Sequence, residues 1–542
     1  QLTISFQSPV VREKYMYTIC NNQTPSRDLP YDFSEGDKFS LQLSTRIFKA
    51  ENLEDMIRLY TEIRGMSTEV KNSDAINLFS GFKLIENKFN TSNWVEEWGY
   101  YSVGMRENFL QDWQVGWTGG MISTYPLYLL GSEKTKQRVL RNFEWFFKDG
   151  FAPGGLPWDS GEKGKKWYGG DIRREITANR HLVRKSADVV YYLVKQFFML
   201  KDQGDKVPEE WIEKIKMVAN IYGHVWEKYS QTGHFLDTRT NEIVIGGSTS
   251  GAILPAGLVL LSRLSSDNSY LDLAEKIAEH YFSDYLRKGI SCGGVGDALQ
   301  NIDCESSYAL CESFILLFEE TRNRKWLDRA SLAADYYSTW IMSYNYEFPP
   351  HSTHGKLGMK TMGTVLANTQ NKHGCPGICT YSGVALLNIY RYTGNEFYIQ
   401  LLEDIVRAIP QYLSTKERPI NGLEEGWVSE RINTTDWLEG IGETMNGSTW
   451  AETSLMLSKA EIPTVYVDKD KSKCWCFDQF KCQLDKNQLI IDSGDQIKLP
   501  VTISVLIEKA GENNPNYSDY GELKTKEFEM KDRRTIINIH NK

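Results

Sequence analysis

Apolar and polar positions alternate with two different periods along the chain and divide it into three regions. Residues 1–48 contain short alternating runs such as LTISFQSPVV and KFSLQLSTRIF, which are typical of the edge of a β-sandwich domain. Between 49 and 462 the apolar residues recur at helical spacing, as in ENLEDMIRLYTEIRG, where a glycine ends the run. Strand-like runs return in residues 463–542, among them QLIIDSG and IKLPVTISVLIEK. The pattern predicts a long helical domain between two β segments.

The helical region alternates between two kinds of helix. A loop rich in glycine and small residues leads into an apolar helix with few charges, and a charged amphipathic helix follows after a short turn. The apolar helices begin near residues 116, 176, 246, 304, 375 and 446, roughly 57–72 residues apart, which is longer than most solenoid repeats. Five of them have a charged partner directly behind them. We expect ENLEDMIRLYTEIRG, at the start of the region, to be the sixth partner.

Burial explains why two kinds of helix alternate. Apolar helices that are covered on two sides form an inner ring, and amphipathic helices with one wet face form an outer ring. The pattern therefore predicts a mainly α fold, a closed (α/α)6 toroid of six helical hairpins with β-sandwich-like segments at both ends. An open solenoid is the alternative, and the sixth outer helix from the start of the region favours closure.

Six helical hairpins between β segments, with aromatic, glycine and acidic residues ahead of each apolar helix, resemble the six-hairpin glycosidase superfamily. That superfamily includes glucoamylases and unsaturated glucuronyl hydrolases. The resemblance covers about residues 50–460 and concerns the architecture, since no short family signature is matched. It implies a catalytic helical ring that acts on an oligo- or polysaccharide, and it implies no particular catalytic residue.

Composition narrows the classes of function. The 542 residues are 41% hydrophobic and 25% charged, as in an ordinary globular protein. The net charge of −9 argues against a general nucleic-acid binder, which would need a basic surface. No apolar run approaches the ~18 residues that a membrane span requires. The 15 Trp, 29 Tyr and 23 Phe favour a carbohydrate partner, because sugar rings stack on aromatic side chains, although large cores also use them.

No cofactor and no metal is predicted. The nine cysteines are scattered and lack the paired spacing of a zinc site. A glycine-rich phosphate loop and a nucleophile elbow are missing from the sequence, which disfavours nucleotide enzymes and serine hydrolases. The predicted partner is a carbohydrate substrate, without nucleic acid or a membrane span, and the oligomeric state is left open. The chain opens at Gln1 without a leader, so we expect a secreted or periplasmic protein whose signal peptide is removed or lies upstream.

The loops ahead of the inner helices are the predicted place of the active site. In a toroid the N-termini of these helices converge on one mouth of the ring, where free N–H groups and the helix dipoles favour carboxylates and sugar hydroxyls. Glycoside hydrolysis needs one protonated carboxyl that donates to the leaving oxygen and a second carboxylate that activates water or attacks. The first choices for this pair are Glu305 with Asp171 or Glu175, and Asp112, Asp436 and Glu443 are the reserves.

Substrate contacts are expected from aromatic and polar residues in the same loops. Trp and Tyr side chains offer stacking faces, and the Arg173–Arg174 pair would bind a uronate carboxylate bidentately if the substrate carries one. The predicted substrate-binding residues are Trp113, Trp117, Trp167, Tyr168, Arg173, Arg174, Asp303, His373, Trp427, Trp437 and Trp450.

Simpler readings stay open for each candidate. Glu305 fits a first-turn carboxylate favoured by the helix dipole, Asp171 fits a helix cap, and any one Trp fits a core position. At the level of function, a polysaccharide lyase would use His373, Tyr381 and Arg431. A sugar epimerase would need a His pair in the ring, which the eight scattered His residues make less attractive. A non-catalytic glycan-binding protein would keep the aromatic residues without turnover.

Overall fold

The computed structural model describes residues 15–17, 23–25, 32–38, 40, 42–65, 75–104, 112–170, 175–296, 299–435, 438–509, 520–521 and 523–539. The α-helices of these residues are Leu53–Gly65 (α1), Leu78–Lys88 (α2), Thr124–Leu130 (α3), Glu133–Asp149 (α4), Val183–Asp202 (α5), Glu209–Tyr229 (α6), Leu254–Ser265 (α7), Asn268–Asp284 (α8), Cys304–Thr321 (α9), Arg324–Ser338 (α10), Thr353–Lys356 (α11), Val384–Thr393 (α12), Glu396–Ala408 (α13) and Trp450–Glu461 (α14). None of them has the length and apolar character that a membrane crossing requires, in the part of the chain described.

Most strands are short and connect or flank the helices. The strands are Tyr15–Tyr17 (β1), Gln23–Pro25 (β2), Trp94–Val95 (β3), Tyr100–Tyr101 (β4), Trp113–Gln114 (β5), Ser160–Glu162 (β6), Lys166–Tyr168 (β7), Arg180–Leu182 (β8), Phe235–Asp237 (β9), Ile243–Ile245 (β10), Val365–Leu366 (β11), Gly374–Cys375 (β12), Val465–Asp468 (β13), Lys473–Cys476 (β14), Phe480–Asp485 (β15), Gln488–Ser493 (β16), Val501–Glu508 (β17), Lys526–Met530 (β18) and Arg534–Asn538 (β19).

The apolar helices form an inner ring. Helices α3, α5, α7, α9, α12 and α14 are its members, and α5 packs on α7, α7 on α9 and α9 on α12. Helix α9 buries every residue from Cys304 to Glu319, because it is covered by neighbours on both sides and by an outer helix behind. This burial explains why the inner helices carry so few charges.

Helices α14 and α3 close the ring. The hydroxyl of Thr449, ahead of α14, donates to the carbonyl of Thr118, ahead of α3, at 3.0 Å. Gly119 stands between them with a φ of 109°, and a Cβ there would lie 2.7 Å from the Thr449 hydroxyl. Only glycine therefore allows this close approach. The (α/α)6 toroid predicted from the sequence is confirmed, and the open solenoid is excluded.

The outer ring differs from the prediction in one helix. Helices α4, α6, α8, α10 and α13 are the predicted charged partners, but the sixth is α2, which packs on α14. The expected partner, α1, packs on α10 instead. The prediction for α1 was wrong because its apolar stripe is only partly used: Leu53, Met56 and Ile63 stay exposed. Leu78, Phe82 and Ile85 of α2 are buried.

The C-terminal strands form two sheets with one apolar core between them. The sheet orders are β14-β13-β17-β18 and β15-β16-β19, and β13 runs parallel to β17. An ion pair between Arg391 of α12 and Glu508 of β17 (2.5 and 2.9 Å) connects this unit to the ring. At the other end of the chain β1 pairs with β2. The strand-rich ends agree with the predicted fold class, while the domain limits at 48 and 462 stay predictions.

Candidate active site at the ring mouth

The loops ahead of the inner helices meet at one end of the ring, which we call the ring mouth. The Arg184 side chain, on the first turn of α5, reaches Glu305 at the start of α9 (3.0 Å) and Thr380 ahead of α12 (3.3 Å). Its backbone N–H donates to the hydroxyl of Ser250, ahead of α7, at 3.0 Å. Together with the contact that closes the ring, these bonds confirm that the inner helix N-termini converge.

Arg184 is the centre of the charged groups at the ring mouth. Its side chain is almost fully buried, and its Nε lies 2.9 Å from both carboxylate oxygens of Asp188, one turn further along α5. Its Nη1 donates to Glu305 and to the carbonyl of Gly294. The guanidinium also lies 5.2 Å from the ring centre of Tyr381. One guanidinium thus pairs with two carboxyl groups.

Glu305 combines burial with a position at the start of an inner helix. It is 6% exposed and lies on the first turn of α9. Burial raises the pKa of Glu305 to about 7, although the charge of Arg184 and hydrogen bonds from Arg184 and the Cys379 thiol oppose the rise. The Cys379 thiol also lies 3.6 Å from the carbonyl of Trp117. Glu305 therefore holds its proton close to neutral pH, as a general acid must.

Two further acids lie beside Glu305. Burial raises the pKa of Asp188 to about 6 against the opposing charge of Arg184. Asp303 is the N-cap of α9 and accepts hydrogen bonds from the backbone N–H groups of Ser306 (2.7 Å) and Gly294 (2.9 Å). Its predicted role in substrate binding stays a prediction, whereas its capping role follows directly from these bonds.

Glu430 brings a further carboxyl to the loop ahead of α14. One of its oxygens accepts from the backbone N–H groups of Gly447 and Ser448, each at 2.8 Å, and the Trp450 indole also donates to it. The side chain is partly exposed, and burial raises its pKa while the charge of Arg431 opposes the rise. These bonds fix one face of the carboxyl group and hold it in one orientation.

Glu430 and Glu305 belong to different hairpins, and both act on the thiol of Cys375. Burial raises the pKa of the Cys375 thiol, and the negative charges of both carboxyls raise it further. The paired strands β11 and β12 join their segments: the N–H of Gly374 donates to the carbonyl of Ile432 at 2.8 Å, and the carbonyl of Ala367, next to β11, accepts from the N–H of Cys304 at 3.2 Å. The ring mouth therefore carries two carboxyls with raised pKa values from two distant parts of the chain.

His373 adds a neutral imidazole next to this strand. Its Nδ1 lies 2.8 Å from the carbonyl of Gly374, and since a carbonyl only accepts, Nδ1 carries the proton. Burial lowers the pKa of His373 to about 3, and the charge of Arg431 adds to the effect. Nε2 consequently keeps a lone pair, but a pKa of about 3 makes the imidazole a weak base. Arg431 itself pairs with Glu439 at 2.8 Å.

A buried polar network fills the ring below the mouth. Tyr191 donates to Glu312, and the ammonium of Lys195 and the hydroxyl of Ser382 both donate to Glu461. All five side chains are buried. Burial raises the pKa of Glu312. Glu312 lies two turns beyond Glu305 and is paired with Tyr191 of the neighbouring inner helix α5.

A second histidine, His181, is hydrogen-bonded in an Asp–His–Ser arrangement that resembles a serine-hydrolase triad. His181 lies 2.6 Å from Asp159 through Nδ1 and 2.7 Å from the Ser186 hydroxyl through Nε2. All three residues are 0% exposed, and Ser186 donates to the carbonyl of Val183. Because no substrate carbonyl could reach the hydroxyl, this row supports the start of α5 and performs no nucleophilic chemistry.

The other predicted carboxylates have local partners. Asp112 accepts from the hydroxyl of Tyr100 (2.8 Å) and from the backbone N–H of Lys163. Glu443 accepts from the hydroxyl of Thr353 at 2.7 Å. Glu175 is exposed in a short 3₁₀ turn ahead of α5. The contacts of Asp112 and Glu443 hold loops, and their predicted catalytic roles stay predictions.

The predicted aromatic residues fall into two groups. Trp117 lies in the loop ahead of α3, and Trp450 is the buried first residue of α14. Trp113 is 1% exposed and packs edge-on against Trp167, with ring centres 5.5 Å apart, at the first outer hairpin. Tyr168 lies beside them on β7. Trp427 is covered by the ammonium of Lys88, 4.3 Å from its ring centre. Trp117 is linked to Glu305 through the Cys379 thiol, and Trp450 is linked to Glu430.

Five predicted residues lie outside the described part of the chain. They are Asp171, Arg173, Arg174, Asp436 and Trp437. Their predicted roles in catalysis and substrate binding stay predictions, and so does the uronate contact proposed for the arginine pair.

Sequence reasoning missed Arg184, Asp188, Cys379 and Glu430. The signal for the first two was present, because RKSAD opens an otherwise apolar inner helix and the two charges stand four residues apart. Glu430 was hidden by Arg431, since adjacent opposite charges suggest a surface ion pair. Among the residues that the structure describes, no three or more His, Cys, Asp or Glu side chains are grouped to hold a metal ion.

Comparisons with known proteins give likenesses of structure. No protein-family model matches the sequence, and no curated protein matches it. A cellobiose 2-epimerase from Bacillus thermoamylovorans is similar with a TM-score of 0.49 at 12% identity, over 70% of this chain and 97% of its own. A GH76 alpha-mannanase from Bacteroides thetaiotaomicron has a TM-score of 0.45 at 13% identity, over 70% and 94%. An unsaturated glucuronyl hydrolase specific for heparin has 0.44 at 11% identity, over 70% and 96%.

These likenesses concern the fold alone. With identities of 13% or less and TM-scores below 0.5, they assign no superfamily and no role to this chain.

Proposed function

We propose that the protein is a glycoside hydrolase that cleaves an oligo- or polysaccharide at the ring mouth, with Glu305 as the general acid. The observation that carries this proposal is the carboxyl of Glu305, whose pKa burial raises to about 7 at the convergence of the inner helices. A carboxyl in this state can protonate a leaving glycosidic oxygen at neutral pH. Arg184 and Cys379 orient it.

Glu430 is the proposed second carboxyl. It lies in the loop ahead of α14, in a different hairpin from Glu305, and its side chain is partly exposed. The backbone N–H groups that bind one oxygen leave the other side of the carboxyl for water or for the anomeric carbon. Asp171 and Asp436 stay open as alternatives for this role. Trp117, which is partly exposed, is the proposed stacking face for a sugar ring.

His373 favours one other function, eliminative cleavage by a polysaccharide lyase. A lyase needs a base that removes a proton next to a uronate and a cation that neutralises the uronate. The imidazole offers the lone pair of Nε2, although its pKa of about 3 makes it a weak base, and the neighbouring Arg431 fits the cation. The ion pair of Arg431 with Glu439 weakens this second role, because the guanidinium is already partnered. Hydrolysis is therefore the preferred proposal.

Product analysis separates the two reactions. We expect incubation with a panel of neutral and uronate-containing oligo- and polysaccharides to release new reducing ends without the ultraviolet absorbance of an unsaturated uronate. Replacement of His373 by glutamine should leave this activity largely intact. Unsaturated products that disappear in the His373→Gln variant would establish the lyase instead. Binding of a glycan without any product would contradict both enzymes and leave a glycan-binding protein.

The pH dependence of hydrolysis should report the proton on Glu305. Burial raises the folded-state pKa from the ordinary 4.5 to about 7, so the acid is protonated below that pH and ionised above it. We expect kcat/KM to fall about tenfold per pH unit on the alkaline side of this value. The folded protein also binds this proton more tightly than the unfolded chain, so the stability it provides is lost as pH rises from about 4.5 to about 7.

Two measurements check this prediction, a pH–rate profile and unfolding free energies over the same range. The Glu305→Gln variant has no titrating group there, so its stability should depend less on pH than that of the wild type. A rate that stays constant well into the alkaline range would contradict the assignment of Glu305 as the acid.

The substrate class and the location of the protein are extensions of this proposal. A uronic acid in the substrate rests on Arg173 and Arg174, and a secreted or periplasmic location rests on the sequence alone. Both stay predictions.

A further inference from the structure

Three cysteines meet in the C-terminal β unit. Cys474 and Cys476 lie on β14, two residues apart, and therefore face the same side of the strand. Cys482 lies on β15, in the other sheet. Cys476 belongs to the apolar core between the sheets, and Cys474 and Cys482 pack against it. The three side chains thus come together at the connection between β14 of one sheet and β15 of the other.

The thiols contact one another. Cys482 is hydrogen-bonded to both Cys474 and Cys476. Cys476 is buried, and its thiol also donates to the carbonyl of Asp478 at 3.4 Å. Cys474 and Cys482 are both partly exposed. A dissolved oxidant can therefore reach the thiols of Cys474 and Cys482. The thiol of Cys476 is buried and hydrogen-bonded to Asp478.

The hydrogen bond also makes Cys474 the better nucleophile. Its acceptance of the Cys482 thiol proton lowers the pKa of Cys474, so its thiolate forms more readily than that of an ordinary cysteine. The remaining described cysteines, Cys292, Cys304, Cys311, Cys375 and Cys379, are buried in the helical ring. The contrast in exposure makes the β-unit pair the selective target of oxidation.

We propose that Cys474 and Cys482 form a reversible disulfide by exchange with a low-molecular-weight disulfide such as oxidised glutathione. The Cys474 thiolate attacks one sulfur of that disulfide, and the other half leaves as a thiolate. Cys482 then gives its proton to solvent and attacks the Cys474 sulfur of the mixed disulfide, releasing the second small thiolate. Two protein thiols are oxidised, and one small disulfide is reduced to two thiols.

The bridge would act on the contact between the β unit and the ring. The turn between the two cysteines contains Asp478, whose carboxylate accepts the backbone N–H of Leu78, the first residue of α2, at 3.0 Å. Asp478 also accepts from Gln479 at 2.8 Å. Closing the loop across this turn restricts it in the unfolded chain, which stabilises the folded form. Oxidation should therefore strengthen the attachment of α2, the last member of the outer ring.

Peptide mapping of the intact protein tests the proposal directly. Trypsin cuts after Lys473 and Lys481, so Cys474 and Cys476 share one peptide and Cys482 starts the next. We expect the two peptides to be joined after incubation with oxidised glutathione and separate after reduction. The joined pair should persist in Cys476→Ser and be lost in Cys474→Ser. The melting temperature of the wild type should rise on oxidation, and that of Cys474→Ser should not.

Two results would overturn the proposal. One is the absence of joined peptides in the oxidised wild-type protein, with all three thiols still open to alkylation after denaturation. The other is a joined pair that survives in Cys474→Ser and disappears in Cys476→Ser, since this would assign the bridge to the buried thiol. The wild-type result does not depend on the folding of either variant.

Discussion

Replacement of Glu305 by glutamine is expected to lower kcat for glycan hydrolysis by about 10²–10⁴-fold while the protein stays folded. The amide keeps the shape of the side chain but cannot give a proton to the leaving oxygen. Because burial raises the pKa of Glu305 to about 7, the wild-type carboxyl is already neutral below that pH. A neutral amide therefore changes the electrostatics little there, and Arg184 keeps Asp188 as its partner. Initial rates and thermal melting together measure the effect.

Glu319→Gln is the matched control for this experiment. Glu319 stands on the same helix, is 7% exposed against 6% for Glu305, and burial raises its pKa too. Its carboxyl group accepts a hydrogen bond from the hydroxyl of Tyr392 at 2.9 Å. At a rise of about 1.5 Å per residue, Glu319 lies about 21 Å from Glu305 along the helix axis. We expect it to keep nearly wild-type kcat. Equal losses in both variants would point to a damaged fold, and full activity in Glu305→Gln would refute the assignment.

The ring could be predicted from the sequence because burial leaves a strong periodic signal. An inner helix such as α9 is covered on several sides, so nearly all of its positions are apolar or small. The outer helices have one wet face and are charged there. The sixth outer helix could not be assigned in this way, because ENLEDMIRLYTEIRG and LFSGFKLIENK are both amphipathic and only packing decides between them.

The ring mouth could be predicted only in part. Glu305 was identifiable because burying a carboxylate at the start of an apolar helix is unfavourable, so its presence there indicates a specific role. Its partners were not, since Arg184 and Glu430 are more than a hundred residues away in sequence, and only the packing of the hairpins brings Arg184 to Glu305 and Glu430 to the same cysteine, Cys375. Cys379 looks like any small buried residue until the fold brings its thiol to Glu305. Pairwise contacts of this kind depend on tertiary distances that no local pattern carries.

Replacement of Arg184 by glutamine is expected to lower the free energy of unfolding by about 3–5 kcal/mol, because it removes the counter-ion of buried carboxyls. Asp188 is 0% exposed and would lose two contacts of 2.9 Å. The pKa of Asp188, about 6 with Arg184 present, should rise further without it. Folding then takes up a proton, so the stability of the variant should fall more steeply with rising pH than that of the wild type. Denaturant titrations at acid and alkaline pH measure both effects.

Two comparisons identify the cause of this loss. Arg263→Gln removes an ion pair with Glu320 of 2.6 Å between partly exposed side chains and a charge that acts on the buried Glu319, so the loss should stay smaller than that of Arg184→Gln. Adding Asp188→Asn to Arg184→Gln removes the unpaired buried charge and should recover part of the stability. An Arg184→Gln protein that is no less stable than Arg263→Gln at alkaline pH would contradict a buried charge centre. Because Arg184 joins the starts of α5, α7 and α9 and the loop ahead of α12, the same measurement tests what holds the ring mouth in shape.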